Sequence, residues 1–540
     1  MDLGTLDAID DPHALRDAAR ALLTQVMTER DHAVAERDTA RAQVKQQAQL
    51  IDARERTISH RDAQIAALTA EIARLRRVQF SAKSERMDPA QRALFDETMA
   101  ADIAAVEAQL EAIQAQDEDA ATTQQRRTRT VARRKPLPEH LERVETRHEP
   151  ATCTCPQCQG ALVAIGEHVS EKLACKPLEF FVKRDVYPQY ACRTCEQVVA
   201  EPVAPAIIER GQADASVLAQ VAIAKYVDHL PLYRQEAIYA RSDIALSRTT
   251  LAEWIGAVGV ALQPLADRLG EQLRQQPVLH ADETLVQMLD PGAGKTKRAY
   301  LFAYGSARHP GADPPKVVFE FQPSRSGSHA RDFLGPWRGA LMVDDYGGYK
   351  ASFAQGVTEL ACWAHARRKW FDQHAASGSA IAAEALTRIG VLYRIEEQAR
   401  DMTIKERQAH RQQHAVPVLA ELKQWLTDLA PKVLGNSGTA KALAYTLRRW
   451  GSLLRYVDDG RYPIDNNAIE NAIRPIALGR KNWLFAGSEQ AGRRAAAIMS
   501  LLATARANGL DPHAWLTDTL TRLPTTLARD IDSLLPLRQS

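Results

Sequence analysis

The sequence predicts a multidomain chain: an N-terminal coiled coil, a zinc ribbon-like domain, a helix-turn-helix, and an α/β domain carrying an all-helical insertion. Three observations predict it. Apolar residues recur every seven positions near the N-terminus, two Cys-x-x-Cys pairs lie mid-chain, and strand-like apolar runs begin at Pro277. A length of 540 residues leaves room for several domains. The 45% hydrophobic content allows sizeable cores, and a net charge of +2 confines nucleic-acid contacts to local clusters. No apolar stretch approaches the ~20 residues of a membrane span. The acidic N-terminus lacks a secretion signal, so a cytoplasmic protein is expected.

Residues 1–114 are expected to form the coiled-coil region. Val44, Ile51, Ile58, Ile65 and Ile72 repeat every seven residues, with Leu68 and Leu75 at the matching d positions. Such a seam needs a second helix to bury it, and β-branched a positions favour a parallel homodimer. Arg54 and Arg61 at d positions weaken its N-terminal half. Residues 115–145 read as a basic linker: Arg126, Arg127, Arg129, Arg133, Arg134 and Lys135 crowd together with almost no large apolar side chains.

Residues 146–206 hold Cys155-Pro-Gln-Cys158 and Cys192-Arg-Thr-Cys195, separated by 33 residues. Four thiolates in two knuckles suit a closed, tetrahedral structural Zn²⁺. Phe180 to Tyr190 reads as a β-hairpin leading into the second knuckle, and Cys175 as an ordinary thiol. Within 207–270, Ala215–Val227 and a helix from Pro231 precede a turn and recognition helix. Ser247 is the N-cap there, and Arg248 and Thr249 are the candidate DNA contacts, with a helical subdomain that only packs as the other reading.

The α/β domain is expected over 271–375 and 459–490, with the helical insertion at 376–458 and a helical tail at 491–540. Val278 to Met288, Arg298 to Gly305, Lys316 to Gln322, Ala340 to Asp344 and Thr358 to His365 read as five strands, with a helix from Ser328 to Leu334. Strands in this order, followed by an acid-bearing helix, give a ribonuclease-H-like pattern. Asp282 and Asp344 end apolar runs, and Glu470 stacks with Asn466 and Arg474 at i, i+4 spacing on a helix. Three separated acids converging on one point suit two Mg²⁺ ions, with Mn²⁺ as an alternative, because hard cations take carboxylate and phosphate oxygens. Two such ions ~3.5–4 Å apart stabilise both oxygens of an in-line phosphoryl displacement. Arg474, Arg480 and Lys481 are candidate phosphate contacts. His365 and Arg367 are expected to approach DNA or the acids, with a packed imidazole as the other reading of His365.

Cys362-Trp-Ala-His365-Ala-Arg367-Arg368, Asp344-Asp-Tyr-Gly-Gly-Tyr349, the Glu470 segment, the cysteine knuckles, the helix-turn-helix and Phe80-Ser-Ala-Lys83-Ser-Glu85-Arg86 together resemble the insertion-sequence-66 transposase family. The likeness runs from about residue 40 to 525. It implies a DDE transposase in which Asp282, Asp344 and Glu470 match the catalytic acids. Asp345 stands where the family usually has a small residue, so the second acid is Asp344 or Asp345, with register to Tyr346 and Tyr349 favouring Asp344. The implied reaction is metal-dependent cleavage at the ends of a mobile element, then attack of the freed 3′-hydroxyl on target DNA. Double-stranded DNA, a second copy of the chain and small accessory proteins of the element are the implied partners. The alternative is a non-catalytic, sequence-specific DNA-binding regulator.

Overall fold

The computed structural model describes residues 12–81, 103, 106–107, 109–110, 137, 139, 141–149, 162–176, 179–209, 211–290, 293, 295–435 and 437–538. Lys83, Glu85 and Arg86, the basic linker from Arg126 to Lys135, and Cys153, Cys155 and Cys158 lie outside the described residues. The chain divides into two units, Met1–Glu71 with Leu110–Thr122, and Ile72–Gln109 with Thr123–Ser540.

A single helix, Pro12–Ser81, runs through the N-terminal region for 70 residues. Within the first unit, Ile51 and Ile58 are 56% and 58% exposed, so this stretch of the heptad seam faces solvent in the single chain.

In the second unit, strands β1 (Arg143–Arg147), β2 (Leu162–Lys176), β3 (Glu179–Cys192) and β4 (Val198–Ala200) form one sheet. β2 and β3 are antiparallel arms of a long hairpin. Phe180 to Tyr190 is therefore one arm, not a hairpin by itself; its partner arm lies among residues whose spread of Gly, Glu, Ser and Lys hid the alternation. Beyond β3 the chain closes a tight knuckle. The Cys192 amide donates to the Gln197 carbonyl at 2.9 Å, the Glu196 amide to the Cys192 carbonyl at 2.8 Å, and Glu196 sits at φ 56°.

Helices Ala215–Tyr226, Leu232–Tyr239 and Arg248–Leu273 follow. Ser247 caps the last, its hydroxyl accepting the Thr250 amide at 3.1 Å. Val217, Leu218, Val221, Leu251, Ile255 and Val258 are buried where these helices meet.

The central sheet contains β5 (Val278–Asp290), β6 (Lys295–Ser306), β7 (Val317–Gln322), β8 (Ala340–Val343) and β9 (Thr358–Ala361) in the order β7-β6-β5-β8-β9. β5–β6 and β6–β7 are antiparallel, whereas β5–β8 and β8–β9 are parallel. Period-two alternation divides its side chains between two cores. Leu279, Ala281, Phe302, Tyr304 and Val318 pack toward the helix Arg248–Leu273. Val286, Met288, Leu301, Ala303, Phe319 and Phe321 pack with Ile469, Ile473 and Ile476 of the helix Asn467–Trp483. The β7 edge is covered by the helix Glu489–Ala507, whose Ser500 and Thr504 hydroxyls accept the Phe319 and Val317 amides at 2.7 and 3.0 Å.

The fifth strand stops at Ala361 rather than running to His365. Trp363, Ala366 and Trp370, all fully buried, repeat with helical spacing and pack into a third core with Leu392, Leu419 and Leu422. That burial pulls the chain into the helix Trp363–Ser377 immediately after the strand, so Cys362 is its N-cap and His365 lies in its first turn.

Candidate active site

The parallel register pairs His280 with Met342, so Asp282 on β5 and Asp344, just past the end of β8, each stand two residues beyond that pair. Asp282 alternates onto the face packed by the helix Asn467–Trp483, which carries Glu470 one turn from its start. Burial, supplemented by the nearby Glu283, Asp344 and Glu470 carboxylates, pushes the Asp282 pKa up to about 7, against the pull of the Glu283 amide bonded to its Oδ1 at 2.8 Å. The structure thus brings Asp282, Asp344 and Glu470 into one electrostatic neighbourhood.

Asp344 and Asp345 separate clearly. The Asp344 Oδ1 accepts only the Tyr346 amide, at 2.7 Å, among the bonds described. Asp345 is paired with Arg448 and lies 3.4 Å from the nearly buried Arg449. Arg449 also donates to the Asp344 carbonyl at 2.8 Å and pairs with Glu359. Asp344 makes no ion pair among the described residues, while Asp345 is bound to the helical insertion.

Asn466 departs from its expected place. It is the N-cap of the Glu470 helix, fully buried, and turned into the protein rather than along the helix face beside Glu470. Its Nδ2 donates to the Ala281 carbonyl at 2.9 Å, and its Oδ1 lies 2.9 Å from the His280 Nδ1. A buried amide is worth most where every polar group finds a partner, and the strand backbone supplies one here. Burial lowers the His280 pKa to about 4, so the imidazole is neutral and its Nδ1–H donates to Asn466. Arg474 and Lys481 are exposed. The Arg480 guanidinium bonds the Leu285 carbonyl, tying the helix end back to β5. Arg367 is exposed two residues after His365, Thr249 is exposed, and the Arg248 amide is bonded to Glu236 at 3.2 Å.

Cys362, His365 and Glu470 place one ligand atom each within 4.8 Å of one another. The Cys362 sulfur accepts the Asn466 amide at 3.2 Å, and burial pushes the thiol up to about 12. His365 Nδ1 lies 3.5 Å from Glu470 Oε1, and both atoms are buried without a hydrogen bond. A buried carboxylate oxygen without a hydrogen-bond donor fits a hard divalent cation. Glu283, which sequence reasoning missed, projects from the opposite face of β5, 1% exposed, and is paired with Arg325. An Asp-Glu pair on a strand is visible in sequence, but alternation hides the partner of the second acid.

Comparison with known proteins places these features. The family model described as "Transposase IS66 family" matches residues 210–494, and "IS66 C-terminal element" matches 500–537. The chain belongs to the IS66 transposase family. Its "zinc-finger binding domain of transposase IS66" spans 152–196, and "Transposase C of IS166 homeodomain" spans 67–146. The chain is 38% identical to uncharacterized protein y4qI of Sinorhizobium fredii (strain NBRC 101917 / NGR234) over 96% of each chain. It is 39% identical to uncharacterized protein y4jD of the same organism, over 74% of this chain and 81% of that one. IS66 membership gives the chain a transposase role, DNA as its partner and a zinc-binding domain. Cys192 and Cys195 of that domain flank the knuckle after β3. No helix among the described residues is long and apolar enough to cross a membrane.

Proposed function

We propose that this chain cuts and joins DNA strands by a DDE mechanism, with Asp282, Asp344 and Glu470 as the acids that hold two Mg²⁺ ions, or Mn²⁺ in their place. The Asp344 and Glu470 carboxylates lie close enough to the buried Asp282 to raise its pKa, and this convergence of the three acids is the observation that carries this reading. The sheet order, with antiparallel β5–β6–β7 and parallel β5–β8–β9, supports a ribonuclease-H-like catalytic domain. The bound ions would supply Lewis acidity to a phosphodiester and to its attacking oxygen. The chain's own groups set the geometry: Asn466 fixes the Glu470 helix against β5, Arg449 fixes the loop after β8, and His365 stands behind Glu470.

Arg248 and Thr249, at the start of the third helix of the helix-turn-helix, are the proposed readers of the element ends. Arg367, Arg474 and Lys481 are exposed cations on the helices around the acids and suit backbone phosphates. Arg480 is committed to a carbonyl, so its proposed share is to hold the helix, with phosphate contact limited to its remaining donors. The structural Zn²⁺ site is assigned to Cys155, Cys158, Cys192 and Cys195. The exposed Ile51 and Ile58 support pairing of two chains through the long helix, which would let two ends be handled together.

Incubating the purified chain with a duplex carrying the element's own ends tests this reading. Nicked and joined products that require added Mg²⁺ or Mn²⁺ are expected. Specific end binding without any metal-dependent nicking would replace it with a DNA-binding regulator.

A further inference from the structure

Arg325 lies in the short link between β7 and the helix Gly327–Leu334. Its Nε donates to Glu283 Oε1 at 2.8 Å and its Nη2 bonds the same oxygen. The other Glu283 oxygen accepts the hydroxyl of the fully buried Tyr349 at 3.3 Å. One face of the guanidinium lies over the Tyr346 ring, 4.2 Å from its centroid, and the Tyr346 hydroxyl bonds the Arg325 carbonyl. The same Tyr346 donates its amide to Asp344. The Glu283 side chain is 1% exposed but that of Arg325 is 45% exposed, and among the described residues only the Arg325 Nε and Nη2 are hydrogen-bonded, which leaves Nη1 open.

A guanidinium gripped along one edge, stacked on one face and open along the other edge has lost most of its rotamer freedom before any ligand arrives. An open arginine fork fits a phosphate or carboxylate, and the acids beside it make a carboxylate ligand unfavourable unless cations are present. Ordinary surface arginines lack a buried carboxylate dedicated to holding them. Close backbone packing adds rigidity, since a side chain on Gly327 would collide with the Gly348 carbonyl in the loop after Asp344.

We propose that Arg325, held by Glu283 and Tyr346, is a phosphate-binding residue of the active site that grips a DNA backbone phosphate beside the bond being cut. The inference rests on the reading of Asp282, Asp344 and Glu470 as the catalytic acids, but its test reads binding instead of chemistry. Affinity for an end duplex is measured with Ca²⁺, over a series of salt concentrations, using duplexes in which single phosphates near the cut are replaced by neutral methylphosphonates. Arg325→Gln is expected to bind about tenfold more weakly, with the salt slope reduced by about one. One methylphosphonate should weaken the wild type to the same degree and leave Arg325→Gln unaffected. Equal affinity of the two proteins, or full sensitivity of Arg325→Gln at every phosphate, would overturn the proposal. If Arg325→Gln does not fold, Arg325→Lys decides: it keeps the charge but loses the fork, and unchanged affinity would count against the proposal. A chain that binds as described but never nicks DNA would sink the catalytic reading and leave this subsite standing.

Discussion

The His280 Nδ1–H donates to the Asn466 side-chain oxygen at 2.9 Å, while the same amide donates to the Ala281 carbonyl. This pair fastens the first turn of the Glu470 helix to the strand that carries Asp282. A one-turn distance then separates a fully buried anchor from a partly exposed acid.

Asn466→Ala should therefore cost about 2–4 kcal/mol, because it leaves a buried imidazole and a buried carbonyl without partners. Denaturant unfolding checks the cost. Strand cleavage should fall much further than end binding, since the substitution loosens Glu470 and leaves the helix-turn-helix untouched.

The acids at the site are expected to destabilise the metal-free protein. Asp282 titrates near pH 4 when unfolded but at about 7 in the fold, chiefly through burial. The folded chain therefore holds a proton that the unfolded chain has released, and stability falls as pH rises from about 4 to about 7. Without metal, Asp282→Asn should melt a few degrees above wild type, roughly 2–4 °C, at pH 8 and level with it well below pH 4. Added Mg²⁺ should raise the wild type more than the variant. A lower melting point for Asp282→Asn at pH 8 would contradict this.

Asp344 and Asp345 should behave differently. Asp345→Asn breaks contacts to Arg448 and Arg449 and should leave cleavage within a few-fold of wild type. Asp344→Asn should lower it by roughly a thousandfold, about 4 kcal/mol of barrier. Single-turnover rates on an end duplex distinguish the two.

Much of this was legible in the sequence, and the remainder was hidden for identifiable reasons. Period-two runs located β5 to β8, and Ser247 marked the start of its helix because an N-cap is a local signal. The end of β9 is hidden in the sequence because Thr358 to His365 carries apolar residues compatible with either period; the buried face formed by Trp363, Ala366 and Trp370 decides it. Spacing alone puts Asn466 on the helix face of Glu470, because it cannot show that a residue at a helix start turns inward. The Glu283–Arg325 pair joins positions 42 residues apart across a fold, which no local pattern reveals.

Zinc removal should act on the N-terminal sheet and not on the acids. The knuckle Cys192–Gln197 is held by two backbone bonds and lies at the end of β3. Cys195→Ser should release on the order of one zinc per chain and weaken end binding, with the central sheet still folded. Metal analysis and circular dichroism check both parts.

Glu470→Gln tests the catalytic reading most directly. The substitution keeps the shape of the side chain and removes the charge from the acid beside His365. On a labelled end duplex with Mg²⁺, the variant is expected to bind as the wild type does and to yield no nicked or joined strand. Strand transfer at the wild-type rate in that variant would contradict the assignment of Asp282, Asp344 and Glu470 as the metal-holding acids.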